Sequence, residues 1–315
     1  MWRVRLKIEF MSAKYTIVGL GELLWDVFSN RKELGGAPAN FAYMTSLLGD
    51  EGVVASRVGR DRLGNAAARR LAKLGLSQEW LQLDRNSPTG TVKVEVFEDG
   101  QPKFQIAENV AWDNFEWTSQ WQALAGRAAA VCFGSLAQRS ERSRKTIRRF
   151  LQNLPPNAVK VFDVNLRQSF FSADILRESA KSADIMKVNE DELSRVAELL
   201  GYKSDAKETA GPWLLRTCGL KLVCVTEGPS GSSLVAADGV HRHPGFPTEV
   251  ADTVGAGDAF TAALIHHYLR GANLDEMNEA ANRMGSWVAS QVGATPKPDV
   301  NFLKSVLHSS VQQLD

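Results

Sequence analysis

The run Asp252-Thr-Val-Gly-Ala-Gly-Asp258 decides how this sequence is read. Its small residues Gly255, Ala256 and Gly257 lead into a stretch, 258–270, in which Phe260, Ala263, Leu264 and His267 recur at helical spacing and Gly271 marks the end. Small residues at a helix start expose backbone N–H groups, and with the helix dipole they favour an anion. Asp258 is expected beside that anion site rather than inside the helix, as a proton acceptor. Alone it reads equally well as an ordinary helix cap.

Upstream, short β-branched or apolar runs alternate with amphipathic stretches. That is the pattern of an α/β protein, a mostly parallel doubly wound central sheet flanked by helices. Strands are expected at 15–20, 53–58, 129–133, 159–164, 184–188 and 222–226. Helices are expected at 39–48 and 63–74, each followed by a glycine, Gly49 or Gly75. One segment departs from the alternation: two period-two runs, 91–97 and 102–107, flank Glu98-Asp99-Gly100, a hairpin signal. An insertion of this kind at 90–110 is expected to be a small β lid over a site, with Phe97, Phe104 and Ile106 on its inner face. A further hairpin is expected at 232–243. The chain, 1–315, reads as one domain, with residues 1–12 as a disordered extension.

Composition narrows the partners. The 37 Lys and Arg nearly cancel the 36 Asp and Glu, which argues against nucleic acid or an acidic membrane surface and suits a neutral small molecule. Cys132, Cys218 and Cys224 form no close pair of the zinc or redox kind and read as thiols of a reducing cytosol. With no apolar run of membrane-spanning length and no secretory leader, a cytoplasmic location is expected. There is no Gly-x-x-x-x-Gly-Lys-Ser/Thr, and Gly255-Ala-Gly257 lacks the third glycine of a dinucleotide fingerprint, so neither a P-loop nor a Rossmann site is indicated. His241 and His243 read as surface residues, and His266 and His267 as packing or solvent residues of the last helix turns.

The complete run at 252–258 resembles the C-terminal signature of the ribokinase-like (PfkB) sugar kinases. Gly35-Gly36-Ala37-Pro38-Ala39-Asn40, preceded by Gly21-Glu22-Leu23-Leu24-Trp25-Asp26, resembles the N-terminal one. The resemblance covers nearly the whole chain. It implies the ribokinase-like fold, an ATP-dependent transfer to a sugar hydroxyl, and Asp258 as base beside the Gly255-Ala256-Gly257 anion site. It also implies that Asp26 and Asn40 hold sugar hydroxyls, with Gly35 and Gly36 letting the ring lie against the backbone.

Other matches fall between the signatures. In Asp163-Val164-Asn165-Leu166-Arg167 the resemblance sends Asn165 toward the sugar and makes Arg167 a neutraliser of phosphoryl charge. In Asn189-Glu190-Asp191-Glu192 it makes Asn189 a phosphate contact and Glu192 an organiser of Mg2+ through water. The same four residues also read as a capping box. Thr226, Gly228 and Gly231 match a loop along the nucleotide phosphates, and Asn282, in a helix expected at 277–292, matches a position by the adenine. The carbonyls of Asp252 and Val254, near Gly293-Ala294, resemble a K+ loop. A homodimer through the lid is expected.

Among family members the sequence looks most like the fructokinases. Ribokinase and 2-keto-3-deoxygluconate kinase are the rivals, but the tyrosines and arginine that grip an acid substrate have no match between Gly90 and Ala107. A catalytically silent, sugar-binding relative is the alternative of a different class.

Overall fold

A computed structural model describes residues 14–96, 102–204 and 206–308. The turn of the predicted lid hairpin, with Phe97, and the predicted extension at 1–12 lie outside the described residues.

The strands are β1 (Thr16–Leu20), β2 (Leu24–Val27), β3 (Lys32–Gly35), β4 (Glu51–Gly59), β5 (Leu81–Asp84), β6 (Gly90–Val96), β7 (Pro102–Ile106), β8 (Ala130–Phe133), β9 (Val159–Asp163), β10 (Ile185–Asn189), β11 (Leu222–Thr226), β12 (Ser232–Ala236) and β13 (Gly239–His243). Nine of them form one sheet in the order β13-β12-β11-β10-β9-β8-β1-β4-β5. Every pairing from β11 to β5 is parallel, and β12 and β13 add an antiparallel edge. The chain runs outward from β1 in both directions, so the strand order reverses between β1 and β8. A crevice outside the C-terminal strand ends opens at such a point.

Both faces of this sheet are covered. Along β1 the strand period of two sends Val18 and Leu20 into one apolar cluster, with Trp112, Trp121 and Phe162, and Ile17 into the other, with Phe41, Met44, Leu264 and Met284. The second face is closed by α1 (Ala37–Leu47), α2 (Arg62–Lys73), α8 (Ala256–Tyr268), α9 (Leu274–Ala289) and α10 (Val300–Leu307). The first carries α3 (Ser119–Arg127), α4 (Glu141–Gln152), α5 (Ala173–Ser182), α6 (Glu190–Leu200) and α7 (Ala210–Cys218). Local sequence fixes several starts: Asp61 accepts from Gly64 N at the head of α2, and Asn273 with Glu276 forms a capping box on α9.

The lid is larger than the hairpin read from sequence. It is a separate sheet in the order β3-β2-β6-β7, and β2 and β3 were not predicted. They are four residues each, partly exposed and of mixed polarity (Leu-Trp-Asp-Val, Lys-Glu-Leu-Gly), so neither shows a clean alternation. On β6 and β7 the cross-strand pairs Val92/Ile106 and Val94/Phe104 share a face. Val92, Val94 and Ile106 are buried in the cluster of Trp112, whereas Phe104 stays 51% exposed.

Candidate active site

The helix α8 begins at Ala256, two residues earlier than read from sequence, because Gly255 adopts a left-handed conformation (φ 81°) and turns the chain into it. Asp258 therefore lies inside the first turn and not ahead of the helix. Among the described residues the N–H groups of Gly255, Gly257 and Asp258 carry no hydrogen bond. Three unsatisfied donors at a helix start suit the oxygens of a phosphate.

Asp258 sits half-buried over the C-terminal ends of the strands, and Asn40 Nδ2 donates to its Oδ2 at 2.8 Å. Burial, then the charge of Asp163, push its pKa up to about 7, against the Asn40 bond, Lys187 and Arg167. Asn40 comes from α1, whose start is set by Gly36 (φ 115°) with Pro38 in the first turn. At Gly36 and Gly35 any side chain would collide, with the Glu22 carbonyl and the Asp26 carboxylate respectively. The paired glycines thus let the chain run flush against both acids.

Asp26, on β2 of the lid, is half-buried, and its carboxylate has no hydrogen-bond partner among the described residues. Burial, with Glu33 across the strand pair, raises its pKa to about 6. Glu22, on the segment leaving β1, is 6% exposed and is raised to about 7, first by burial. With Asp258, Asn165, Pro38, Cys132 and Gly134 it lines a cavity of about 20 Å3 at the point where the strand order reverses. That is room for about one water molecule.

The loop after β9 is held in an unusual shape. Asn165 and Gln168 take positive φ (45° and 49°) without being glycine. Glu192 fixes it: Oε1 accepts from Leu166 N at 2.7 Å while Oε2 accepts from Asn189 N at 3.1 Å, and Asn189 Oδ1 accepts in turn from Glu192 N. The predicted capping box is present, and Glu192 also ties the 163–167 loop to the end of β10. Arg167 projects into solvent without an ion pair among the described residues, and its charge lowers the pKa of Glu22, Asp26 and Asp258 alike. Gln168 Nε2 donates to the Phe104 carbonyl at 2.5 Å, linking this loop to the lid.

Asn189 and Thr226 are register neighbours at the ends of β10 and β11, and the turn carrying Gly228 and Gly231, both at positive φ, follows at once. Asp252 Oδ2 accepts from Gly293 N and its Oδ1 from Val254 N, which brings the two predicted cation-loop segments together. Asn282 lies on α9. It is buried between α9 and β12, and its amide nitrogen is engaged by Ser232 Oγ at 2.7 Å and by Asn278. His266 and His267 are buried, bonded to Asp50 and to the Val306 carbonyl.

Two groups were missed from sequence. Glu22 appeared only as part of a quoted motif. Lys187 stands in the apolar run Ile185-Met-Lys-Val188, and a lone cation in a buried parallel strand is itself a signal. Its Nζ lies 3.1 Å from Asp163 Oδ1.

Comparison with known proteins gives the family. The model of the pfkB family of carbohydrate kinases matches residues 6–300. The chain belongs to the pfkB family. It is 30% identical over 304 residues to the sugar kinase PH1459 of Pyrococcus horikoshii, covering 90% of this chain and 93% of that one. The crystal structure of PH1459 superposes with a TM-score of 0.79 over 93% of this chain and 99% of the other, at 28% identity. Fructokinase-2 of Zea mays is 28% identical over 279 residues, 84% of this chain and 82% of its own length. The fold is ribokinase-like: a nine-stranded, mostly parallel sheet with helices on both faces and a separate four-stranded sheet.

No helix among the described residues is long and apolar enough to cross a membrane.

Proposed function

We propose that this pfkB-family protein transfers the γ-phosphoryl group of ATP to a hydroxyl of D-fructose, giving fructose 6-phosphate and ADP. The observation that carries the reading is Asp258 at a helix start with unsatisfied N–H donors, bonded to Asn40. A carboxylate and unbonded N–H donors within one helical turn support the reading of a base beside an anion site.

The chain's own residues divide the work. Asp26 and Asn40 bind sugar hydroxyls, since a carboxylate accepts from two of them and an amide both donates and accepts. Asp258 accepts the proton of the attacking hydroxyl, late, because phosphoryl transfer is largely dissociative and depends chiefly on positioning and charge. The N–H groups of Gly255, Gly257 and Asp258 and the Arg167 guanidinium stabilise the phosphoryl oxygens. Asn189, Thr226, Gly228 and Gly231 lie where nucleotide phosphates would run, and α9 with Asn282 borders the base. Magnesium, bound with the nucleotide, would neutralise its phosphate charge. Both Glu192 oxygens already hold backbone N–H groups, which fits Glu192 to hold that ion through water. K+ would be held by the carbonyls of Asp252 and Val254. The lid, with Phe104 and Ile106 on its inner face, excludes water from the reacting groups. The exposed edge of its hairpin, strand β7, paired on one side only, is where a homodimer would form.

Fructose is favoured by the likeness to fructokinases and by the charge of the crevice. Glu22, Asp26 and Asp258 surround the acceptor position, an arrangement that suits a neutral polyol better than a sugar acid or sugar phosphate. ADP release measured over fructose, ribose, 2-keto-3-deoxygluconate, tagatose, fructose 6-phosphate and nucleosides tests this. Turnover of none of them would remove the kinase reading, and preference for another acceptor would remove only fructose.

A further inference from the structure

Gly257 does not need to be glycine for its backbone, because its φ lies outside the left-handed region. What a side chain there would meet is Lys187. A Cβ at position 257 would stand 2.9 Å from Lys187 Nζ, and the contacts found there belong to that one side chain. The buried ammonium thus lies directly against the middle residue of the anion-binding turn. It is held there from below: Nζ reaches Asp163 Oδ1 at 3.1 Å, and Thr261 Oγ1 lies 3.3 Å from Asp163 Oδ2 and 2.9 Å from the Gly257 carbonyl. Lys187, Asp163, Thr261 and Gly257 therefore form one packed unit linking β9 and β10 to the first turn of α8.

We propose that Lys187 is a positioning residue for phosphoryl transfer: its fixed charge backs the anion site at Gly257, and its Nζ is what a side chain at 257 would have to displace. The inference rests on the kinase reading above. Burial alone would lower the pKa of the ammonium, but Asp163, then Asp258 and Glu192, outweigh it and keep the group charged. A buried cation costs desolvation free energy that an apolar side chain in the same strand would avoid, so the pair with Asp163 is not explained by stability alone. A permanent charge behind unsatisfied N–H donors raises their hold on a transferring phosphoryl group without moving during the reaction. The groups facing Asp258 are Asp163 on β9, Arg167 on the loop after β9, Lys187 on β10, Asn40 on α1, Cys132 on β8 and Glu22 on the segment leaving β1. Of the two cations, Lys187 is the buried one.

Three variants test this. Lys187→Met should lower kcat about 100-fold, with KM for the sugar changed less than about threefold, and should move the acid limb of the kcat profile upward. Because that variant leaves Asp163 unpaired, Asp163→Asn/Lys187→Met is made as well, removing the pair together. Its kcat should stay about as low while its urea midpoint returns toward that of the wild type. Lys187→Arg, which keeps the charge, should hold the acid limb near its wild-type position. Gly257→Ala should lower the urea midpoint in the wild type and much less in the Asp163→Asn/Lys187→Met background, a coupling read without any turnover. Wild-type kcat in Lys187→Met, or an equal effect of Gly257→Ala in both backgrounds, would overturn the proposal. Absence of turnover in the wild type itself would instead strike the kinase reading, and the stability cycle would still report on the contact.

Discussion

Asn40 Nδ2 and Asp258 Oδ2, 218 positions apart in sequence, meet at 2.8 Å, and Asn40 is the one hydrogen-bond partner of the Asp258 carboxylate among the described residues. The bond joins the starts of α1 and α8, the two helices that carry the two signature motifs, and it favours the charged form of a carboxyl that burial would protonate. Asn40→Ala should therefore move the acid limb of the kcat profile upward by roughly half a unit to one unit and raise KM for the sugar. A profile that keeps its wild-type limb would show that Asn40 does not tune the base.

Asp258→Asn keeps shape and removes proton acceptance. We expect kcat to fall about 10^2- to 10^4-fold with KM for both substrates within about threefold, measured by coupled ADP release. Near-wild-type turnover would return Asp258 to the role of a helix cap.

The same variant has a stability signature. The folded pKa of Asp258, about 7, lies above the ordinary carboxylate value, so the folded chain holds this proton over a range where the unfolded chain has lost it. Its effect on stability is most favourable below the unfolded pKa and declines as pH rises to the folded one. Asp258→Asn should thus be more stable than the wild type at pH 8, by about 1–3 kcal/mol, with the difference shrinking toward pH 4. Urea titrations at both pH values decide it, and a constant difference would contradict the raised pKa.

Asp26→Ala should act through the sugar. The carboxylate has no hydrogen-bond partner among the described residues, and in the proposed reading its contacts to sugar hydroxyls exist in the ground state as well as the transition state. KM for the sugar should rise about tenfold or more while kcat changes less. An unchanged KM would remove Asp26 from the binding site.

The residues that were legible in sequence are those whose role is local. Asn189 with Glu192 could be read as a capping box because both partners lie within one turn, and the strands of the central sheet because burial on both faces makes them apolar runs. What escaped depends on distant contacts. β2 is held in register by β6, about 60 residues away, and β3 by β2, and neither by its own pattern. Glu192 reaches Leu166, and Lys187 reaches Gly257, only after the strands have assembled. The start of α8 was placed two residues late because the left-handed turn at Gly255 is fixed by packing against Ala294 as much as by the glycine run itself. Likewise Asn282 could be matched to a motif, but its engagement with Ser232 is a product of the α9–β12 contact.

At the far end of α8 a second buried cluster should govern stability rather than chemistry. Asp50, whose side chain is 0% exposed, accepts from His266 Nδ1 at 2.7 Å, from Arg270 Nη2 at 2.8 Å and from Tyr15 N at 3.0 Å. Burial would raise its pKa, but these bonds prevail and hold it below the ordinary value. A lowered carboxylate contributes stability that is complete above the unfolded pKa and is lost as pH falls through the folded one. Asp50→Asn leaves His266 and Arg270 facing a neutral amide, and should cost about 3–5 kcal/mol at pH 7. In that variant the loss of stability on acidification from pH 5 to pH 3 should be shallower than in the wild type, as followed by urea midpoints. The last turns of α8 lie about 10 Å or more along the axis from Asp258 by helix geometry, so kcat of the folded fraction should stay within about threefold of the wild type. A large drop in kcat at unchanged stability would mean that the cluster sets the position of α8 in the active site and not merely its attachment.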